Sequence, residues 1–280
     1  MLAPSRKASY IHHMNLGVIG CGKMGTALVQ GAIHAGVVNA EDVIGTDLIA
    51  SAAQNFSDIT GARFTADIGE VLRASDVILL CTKPQDIYAA LADFKPDAAS
   101  GKLLISIAAG VRLADIENKT PESVRVIRTM PNTPALVGKG AAAYCLGSRC
   151  LAGDEALVVS LLDAVGLAVH VPEKLMDAVT GLSGSGPAYV YLMIESLADG
   201  GVMAGLSRPE AIKLAAQTVS GAAEMVLRTG EHPAKLKDMV TSPGGTTIAG
   251  LSVLEGRNVR SALIDAVMAA SARSAELGRA

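Results

Sequence analysis

The sequence predicts an α/β domain built on a doubly wound parallel sheet, followed by an all-helical domain. Short apolar runs alternate with helical stretches from Met14 to about Val171, and strand signals vanish after Pro172. A glycine-rich turn joins the first apolar run to the first helical stretch. Alternating strands and helices form parallel sheets covered on both faces, so we expect such a sheet in the first domain. The loss of strand signals after Pro172 and the second methionine at Met14 divide the chain into three parts. They are 1–13, a disordered leader; 14–172, the α/β domain; and 173–280, the helical domain.

The strands of the first domain are predicted from short apolar runs that end at Gly, Pro or polar residues. In chain order they cover Leu16–Gly20, Asp42–Thr46, Asp76–Cys81, Leu103–Ile107, Val124–Ile127 and Leu167–Val171. The first helix is predicted from Lys23 to Ala35, since Gly36 follows it as a typical helix end.

Four helices are predicted in the second domain: 185–204, 208–228, 233–240 and 259–277. The second of them begins with Ser207 as cap and Pro209 in its first turn. Its apolar residues nearly encircle it, a pattern typical of a helix buried between subunits.

Composition argues against several classes of protein. The 280 residues are 50% hydrophobic and only 3% aromatic, with a net charge of −3, so a nucleic-acid partner is not expected. No uncharged apolar run is long enough to predict a membrane span. The four cysteines form no C-x-x-C pair, which favours a reducing cytoplasm. The five histidines show no metal-binding spacing, so we expect no metal site.

The glycine-rich turn has the pattern G-x-G-x-x-G, directly after a predicted strand and at the start of a helix. This context predicts a Rossmann-type dinucleotide site rather than an ordinary strand-to-helix turn. The first glycine permits a tight turn, the second admits a pyrophosphate, and the third lets helix and strand pack closely. The candidate residues are Gly20, Gly22, Lys23, Met24 and Gly25.

Asp47 lies 22 residues beyond Gly25, at the end of the second predicted strand. An acid at this spacing can bind the ribose hydroxyls of NAD and would repel the 2′-phosphate of NADP. A helix cap is the alternative role for Asp47, and both can hold. NADH is therefore favoured, with NADPH left open.

Three further predicted strands end in loop residues, and carboxyl ends of parallel strands share one sheet edge. We expect these loops to form the rest of a cofactor cleft. The residues are Thr82, Lys83, Pro84, Ala108, Ala109, Gly110, Met130, Pro131 and Asn132.

Residues 241–247, TSPGGTT, combine two glycines, a proline and four hydroxyl side chains between helix-like stretches. Such a segment can open a helix with N–H groups and hydroxyls directed at one small anion. Plain helix capping is the alternative. A second segment, 183–187 (SGSGP), could admit the nicotinamide or the substrate, or only begin a helix.

Hydride transfer to a ketone needs a proton donor, yet the glycine-rich loops of the helical half contain no lysine or histidine. A protonated cyclic imine accepts hydride directly. It needs only orientation, carboxylate binding and a hydrogen bond at its nitrogen, which hydroxyls and N–H groups supply.

The chain resembles the pyrroline-5-carboxylate reductase family. The segment 233–255, PAKLKDMVTSPGGTTIAGLSVLE, is similar to that family's signature almost position for position. Residues 20–25 (GCGKMG), 83–85 (KPQ), 128–134 (RTMPNTP) and 183–189 (SGSGPAY) also match. The resemblance implies a Rossmann domain and a helical domain that forms a homodimer, with rings of dimers as a larger assembly. It also implies reduction of 1-pyrroline-5-carboxylate to L-proline by NADPH or NADH.

The resemblance also implies roles for individual residues. Thr247 would be the hydrogen-bond partner of the imine nitrogen and thus the catalytic residue. The substrate carboxylate and ring would be bound by Ser242, Gly244, Gly245, Thr246 and Thr247. The nicotinamide would be lined by Ala109, Met130, Pro131 and Asn132.

Two other classes of protein share parts of this pattern. β-Hydroxyacid dehydrogenases look similar, but they place a catalytic lysine on the long helix, and residues 185–204 contain none. A non-catalytic dinucleotide-sensing module would not require the converging hydroxyls of residues 241–247.

Overall fold

The computed structural model describes residues 14–278, so the predicted leader lies outside the described residues. These residues form two compact units, 14–184 together with 270–278, and Ser185–Ala269. The predicted domain boundary after residue 172 stays a prediction.

The first unit contains an eight-stranded sheet among the described residues. The strands are β1 Leu16–Ile19, β2 Val43–Thr46, β3 Arg63–Phe64, β4 Val77–Leu80, β5 Leu103–Ser106, β6 Arg125–Met130, β7 Gly140–Leu146 and β8 Gly166–His170. Its helices are α1 Lys23–His34, α2 Ala50–Thr60, α3 Ile68–Ala74, α4 Ile87–Leu91, α5 Pro96–Ala99, α6 Leu113–Glu117, α7 Asp154–Asp163 and α8 Met176–Val179. A π-helical turn, Thr180–Gly184, ends the continuous part of this unit.

The strand order is β3-β2-β1-β4-β5-β6-β7-β8, and β1 to β6 are parallel. The connections from β1 and from β4 leave in opposite directions, which places a topological switch point between these two strands. The predicted doubly wound sheet is confirmed, and it is parallel except at one edge. β7 runs antiparallel to β6, and β8 pairs parallel with β7.

Helices cover both faces of the sheet, as predicted. Leu16 and Val18 of β1 point into one buried apolar cluster, whereas Ile19 belongs to the cluster on the other face. In β4, Val77 and Leu79 likewise separate from Ile78 and Leu80. Strands with both faces buried are typical of parallel sheets and keep the strand ends rigidly placed.

An ion pair with a buried arginine joins β6 to the segment that follows β8. Arg128, whose side chain is 5% exposed, bonds Glu173 at 3.3 Å. Glu173 also accepts a 2.6 Å hydrogen bond from the N–H of Leu113, at the start of α6. Since a buried guanidinium is costly without a partner, Glu173 ties β6 to the segment that follows β8.

The second unit is helical throughout. Its helices are α9 Gly186–Met203, α10 Arg208–Thr229, α11 Pro233–Met239, α12 Thr246–Gly256 and α13 Val259–Leu277, whose last turns belong to the first unit. α9 packs on α10 through Ala198, Ala211 and Ala215, small residues that allow close approach. Ser207 precedes α10 as predicted, but its hydroxyl bonds the carboxylate of Glu210 at 2.7 Å instead of capping an N–H group.

Large apolar side chains of the second unit are left uncovered within one chain. In α10, Leu214 is 57% exposed and Leu227 is 71% exposed, and α9 and α13 show the same pattern. Exposed apolar faces of this extent mark association surfaces. None of the helices among residues 14–278 has the length and apolarity that crossing a bilayer would require.

Candidate active site

The glycine loop follows β1 and opens α1. Gly20 has a φ of +101°, and a Cβ there would lie 2.7 Å from the carbonyl carbon of Cys81, after β4. A Cβ at Gly25 would overlap the carbonyl oxygen of Gly20. By contrast, a Cβ at Gly22 would meet no atom within 4 Å. Two of the glycines are thus required by the fold, whereas the third keeps space open in front of the helix.

No side chain caps the N-terminus of α1, because Gly22 is its N-cap residue. The first N–H groups of a helix lack intrahelical acceptors and carry a partial positive charge that favours phosphate groups. Lys23 and Lys83 are both exposed, and they follow β1 and β4, the strands at the switch point. This end of the sheet therefore offers N–H groups and two cations to an anion.

Asp47 follows β2 and bonds the glycine loop directly. Its carboxylate accepts a 2.8 Å hydrogen bond from the N–H of Cys21 and another from the N–H of Ile49. Gly20 also donates from its N–H to the carbonyl of Thr46, at 2.9 Å. The capping alternative for Asp47 was wrong: the N-cap of α2 is Ile49, no side chain caps this helix, and the carboxylate bonds the N–H of Ile49 itself.

The ends of β4 and β5 contribute a hydroxyl and a close turn. The hydroxyl of Thr82 is buried and has no hydrogen-bond partner among residues 14–278. Ala108 donates from its N–H to the hydroxyl of Ser106, at 3.3 Å, and Gly110 has a φ of +78°. A buried hydroxyl without a partner costs free energy, so Thr82 is suited to bind a ligand group.

The end of β6 is held against the π-helical turn. Asn132 donates from its side-chain amide to the carbonyl of Ser183 at 2.9 Å and accepts from the N–H of Ala141 at 2.8 Å. A Cβ at Gly184 would lie 2.6 Å from the methyl group of Met130. Asn132 thus connects three segments, a role that its position in a Pro-rich loop did not reveal.

These features fit a dinucleotide. The space before Gly22 and the uncapped helix end suit a pyrophosphate, and the unpartnered hydroxyl of Thr82 suits a nucleotide oxygen. The parallel register brings together the residues after β1, β2, β4, β5 and β6 that were predicted as cofactor contacts. Their contacts to the cofactor stay a prediction.

The TSPGGTT segment lies in the second unit, between α11 and α12. Gly244 has a φ of +67°, which favours glycine, and a Cβ at Gly245 would overlap the hydroxyl of Ser242. Gly245 is the N-cap of α12, and no side chain caps the helix. The segment therefore leaves the first N–H groups of an 11-residue helix open to an anion.

The four hydroxyls of this segment differ in whether they are already hydrogen-bonded within the chain. Thr241 donates to the carbonyl of Lys237 at 2.7 Å, so its hydroxyl is used inside the chain. The hydroxyls of Ser242, Thr246 and Thr247 make no hydrogen bond within residues 14–278, and Thr247 is half-buried. Three hydroxyls, rather than the four counted in the sequence, are free to meet a ligand.

The same distinction applies to the SGSGP segment. Ser183 donates to the carbonyl of Val179 at 3.1 Å, in the π-helical turn, and Ser185 makes no capping bond to α9. The hydroxyl of Ser183 is therefore used inside the chain, whereas that of Ser185 does not cap the helix that it precedes.

Burial disfavours the thiolate form of the cysteine in the glycine loop. All four cysteines are free, and burial, followed by the charge of Asp47, raises the pKa of Cys21 to about 12. Among the described residues, no group of three or more His, Cys, Asp or Glu could hold a metal ion.

Known families match both parts of the chain. A family model described as "Pyrroline-5-carboxylate reductase dimerisation" matches residues 173–277. A second, described as "NADP oxidoreductase coenzyme F420-dependent", matches residues 15–110. The pyrroline-5-carboxylate reductase of Methanosarcina acetivorans is 46% identical over 96% of this chain and 100% of its own length. That of Arabidopsis thaliana is 45% identical over 94% of this chain and 95% of its own.

Solved structures agree. A pyrroline-5-carboxylate reductase from Coxiella burnetii superimposes with a TM-score of 0.89 at 34% identity, covering 95% of this chain and 99% of that one. A pyrroline carboxylate reductase from Plasmodium falciparum, determined with NADP bound, gives 0.85 at 34% identity, covering 96% and 99%. On the sequence identity, the coverage and the matched fold, the chain belongs to the pyrroline-5-carboxylate reductase family.

Proposed function

We propose that this protein is a pyrroline-5-carboxylate reductase, which reduces 1-pyrroline-5-carboxylate to L-proline with NADPH or NADH in the last step of proline biosynthesis. The observation that carries the proposal is the uncapped N-terminus of α12, with three free hydroxyls beside it. The curated relatives support it, since they carry this name and match nearly the whole chain.

The cofactor, when bound, supplies a hydride to the imine carbon. The first unit binds it in the cleft at the carboxyl ends of β1, β2, β4, β5 and β6. The glycine loop and α1 bind the pyrophosphate, and Lys23 and Lys83 balance its charge. Thr82 donates its unpartnered hydroxyl to a nucleotide oxygen, and Met130 and Ala109 bound the nicotinamide.

The second unit binds the substrate through residues 242–247. The N–H groups at the start of α12 hold the carboxylate, helped by the hydroxyls of Ser242 and Thr246. Thr247 bonds the ring nitrogen and fixes the face of the ring that accepts the hydride. No residue from 241 to 247 titrates near neutral pH, so this segment offers no group that could protonate the ring nitrogen, and the substrate is proposed to bind already protonated.

The two alternative readings lack comparable support. A β-hydroxyacid dehydrogenase would use a lysine on the long helix, and α9 has none. A dinucleotide-sensing module would leave the free hydroxyls of residues 242–247 without a purpose. Both alternatives share the Rossmann-type fold, so only a test of the substrate can distinguish them from the proposed reductase.

The substrate prediction is tested by oxidation of NADH and of NADPH. We expect turnover with 1-pyrroline-5-carboxylate and none with a panel of 3-hydroxyacids assayed in the oxidative direction with NAD and NADP. The reason is that residues 241–247 can bind an imine carboxylate but offer no general base for an alcohol. Turnover of a hydroxyacid without turnover of the imine would overturn the proposal.

We also propose a homodimer formed by the second unit, with rings of dimers as the larger assembly. The exposed apolar side chains of α10, such as Leu214 and Leu227, would be covered by a second copy. We place the domain boundary after residue 172 and the protein in the cytoplasm, where its four free thiols would stay reduced.

The assembly prediction is tested by sedimentation velocity at micromolar concentration. We expect no monomer, because the uncovered apolar helices would expose a large surface to water. Leu227→Glu should shift the distribution toward monomer, whereas Lys235→Glu on the exposed surface of α11 should not. A stable monomer of the unchanged protein would contradict the proposal.

A further inference from the structure

The adenosine end of the cofactor cleft is set by Asp47. One carboxylate oxygen accepts from the N–H of Cys21 in the glycine loop, and the other accepts from the N–H of Ile49, both at 2.8 Å. The carboxylate is thereby fixed at the end of β2, beside the residues that would meet the pyrophosphate. Each oxygen retains a second lone pair that can accept a hydrogen bond from a ligand hydroxyl.

The negative charge of this carboxylate is not balanced by a cation. Among residues 14–278, Asp47 forms no ion pair with a lysine, arginine or histidine. The charge is felt by its neighbour, because it adds to burial in raising the pKa of the Cys21 thiol. An anionic group of a ligand would meet the same field at short range.

The surrounding segments supply one cation, Lys23, which lines the same cavity as Ala52 and Asn55 and is assigned above to the pyrophosphate. Residues 48–55, LIASAAQN, contain no lysine or arginine, and Leu48 is 98% exposed. On the far side of β2, Arg63 pairs with Glu70 at 2.8 Å. Arg73 of α3 pairs with Asp67 at 3.1 Å. Both of these arginines are thus matched with an acid.

We propose that Asp47 makes NADH the preferred cofactor, by accepting hydrogen bonds from the adenosine ribose hydroxyls and repelling the 2′-phosphate of NADPH. The inference rests on the proposed function in that the cleft holds a nicotinamide dinucleotide. It goes beyond the comparisons, in which one family model and one solved relative are described with NADP. It makes the end of β2 the position that decides between the two nucleotides.

The test is calorimetric titration of the protein with NADH and with NADPH, without the imine. We expect NADH to bind at least about tenfold more tightly than NADPH, as an unbalanced charge at short range would cause. In Asp47→Asn and Asp47→Ser, the ratio of the dissociation constant of NADPH to that of NADH should fall about tenfold or more, because NADPH would bind more tightly. Nicotinamide fluorescence in the same titrations gives a second readout.

Asp58→Asn is the matched control. It removes the same charge near the C-terminal end of α2, where the carboxylate only accepts a bond from Gln54, so the ratio should not change. Equal or tighter binding of NADPH by the unchanged protein would overturn the inference, whatever the variants do. Such a result would leave the reductase activity intact, whereas failure to bind either nucleotide would overturn the proposed function and this inference together.

Discussion

Gly22→Ala should weaken binding of NADH and NADPH about tenfold or more, a loss of roughly 1.4 kcal/mol or more, while leaving the free energy of unfolding nearly unchanged. The added methyl group would meet no protein atom within 4 Å, so the fold can accept it. The backbone of Gly22, with φ −70° and ψ −175°, is also open to alanine. The methyl group would instead fill the space before α1 that a pyrophosphate needs. Titration calorimetry and urea unfolding measure the two effects separately.

Gly25→Ala is the contrasting variant, because its methyl group would overlap the carbonyl oxygen of Gly20. We expect it to lower the free energy of unfolding by about 1–3 kcal/mol, as overpacking does. If Gly22→Ala bound both nucleotides normally, the pyrophosphate would have to lie elsewhere. Equal loss of stability in the two variants would contradict the separate roles of the two glycines.

Thr247→Ala should lower kcat/KM for the imine about tenfold or more, the effect of losing a hydrogen bond worth roughly 1–3 kcal/mol. The hydroxyl of Thr247 has no partner within the described chain, so the fold does not depend on it. Thr247→Ser keeps the hydroxyl and should retain most of the activity. Steady-state kinetics with varied imine, together with nucleotide titration, separate a substrate effect from a cofactor effect.

Thr241→Ala provides the control within the same loop. Its hydroxyl bonds the carbonyl of Lys237, so its loss should change stability slightly and the kinetics little. Comparable losses of activity in Thr241→Ala and Thr247→Ala would mean that the loop as a whole, rather than one hydroxyl, matters. Normal kinetics of Thr247→Ala would reject its assignment to the imine nitrogen.

Strong backbone signals made most of the fold predictable. The strands at the centre of the sheet are short, apolar and bounded by breakers, and the structure places them within a few residues of their predicted bounds. β7 was missed because Gly140 and the three alanines after it have low strand propensity. β3 was missed because it has two exposed residues, Arg63 and Phe64, without an apolar pattern. Because β7 was not predicted, its antiparallel direction was not predicted either.

In the candidate site, backbone features were also predictable from the sequence, whereas side-chain contacts were not. The glycines were predictable, since their roles follow from backbone space and a positive φ, both of which leave a pattern in the sequence. The partners of polar side chains were not predictable. Asn132 and Thr241 bond main-chain carbonyls of the protein, and nothing in their local sequence separates them from Thr82, whose hydroxyl is unpartnered.

The open start of α12 has a consequence for acidity. Its donors are main-chain amides, which neither gain nor lose protons in the range where enzymes work, and no ionisable side chain stands between residues 241 and 248. The affinity of this helix start for a carboxylate should therefore not change with pH near neutrality. A slope in the rate profile would then come from a group outside this segment, such as the ring nitrogen of the ligand.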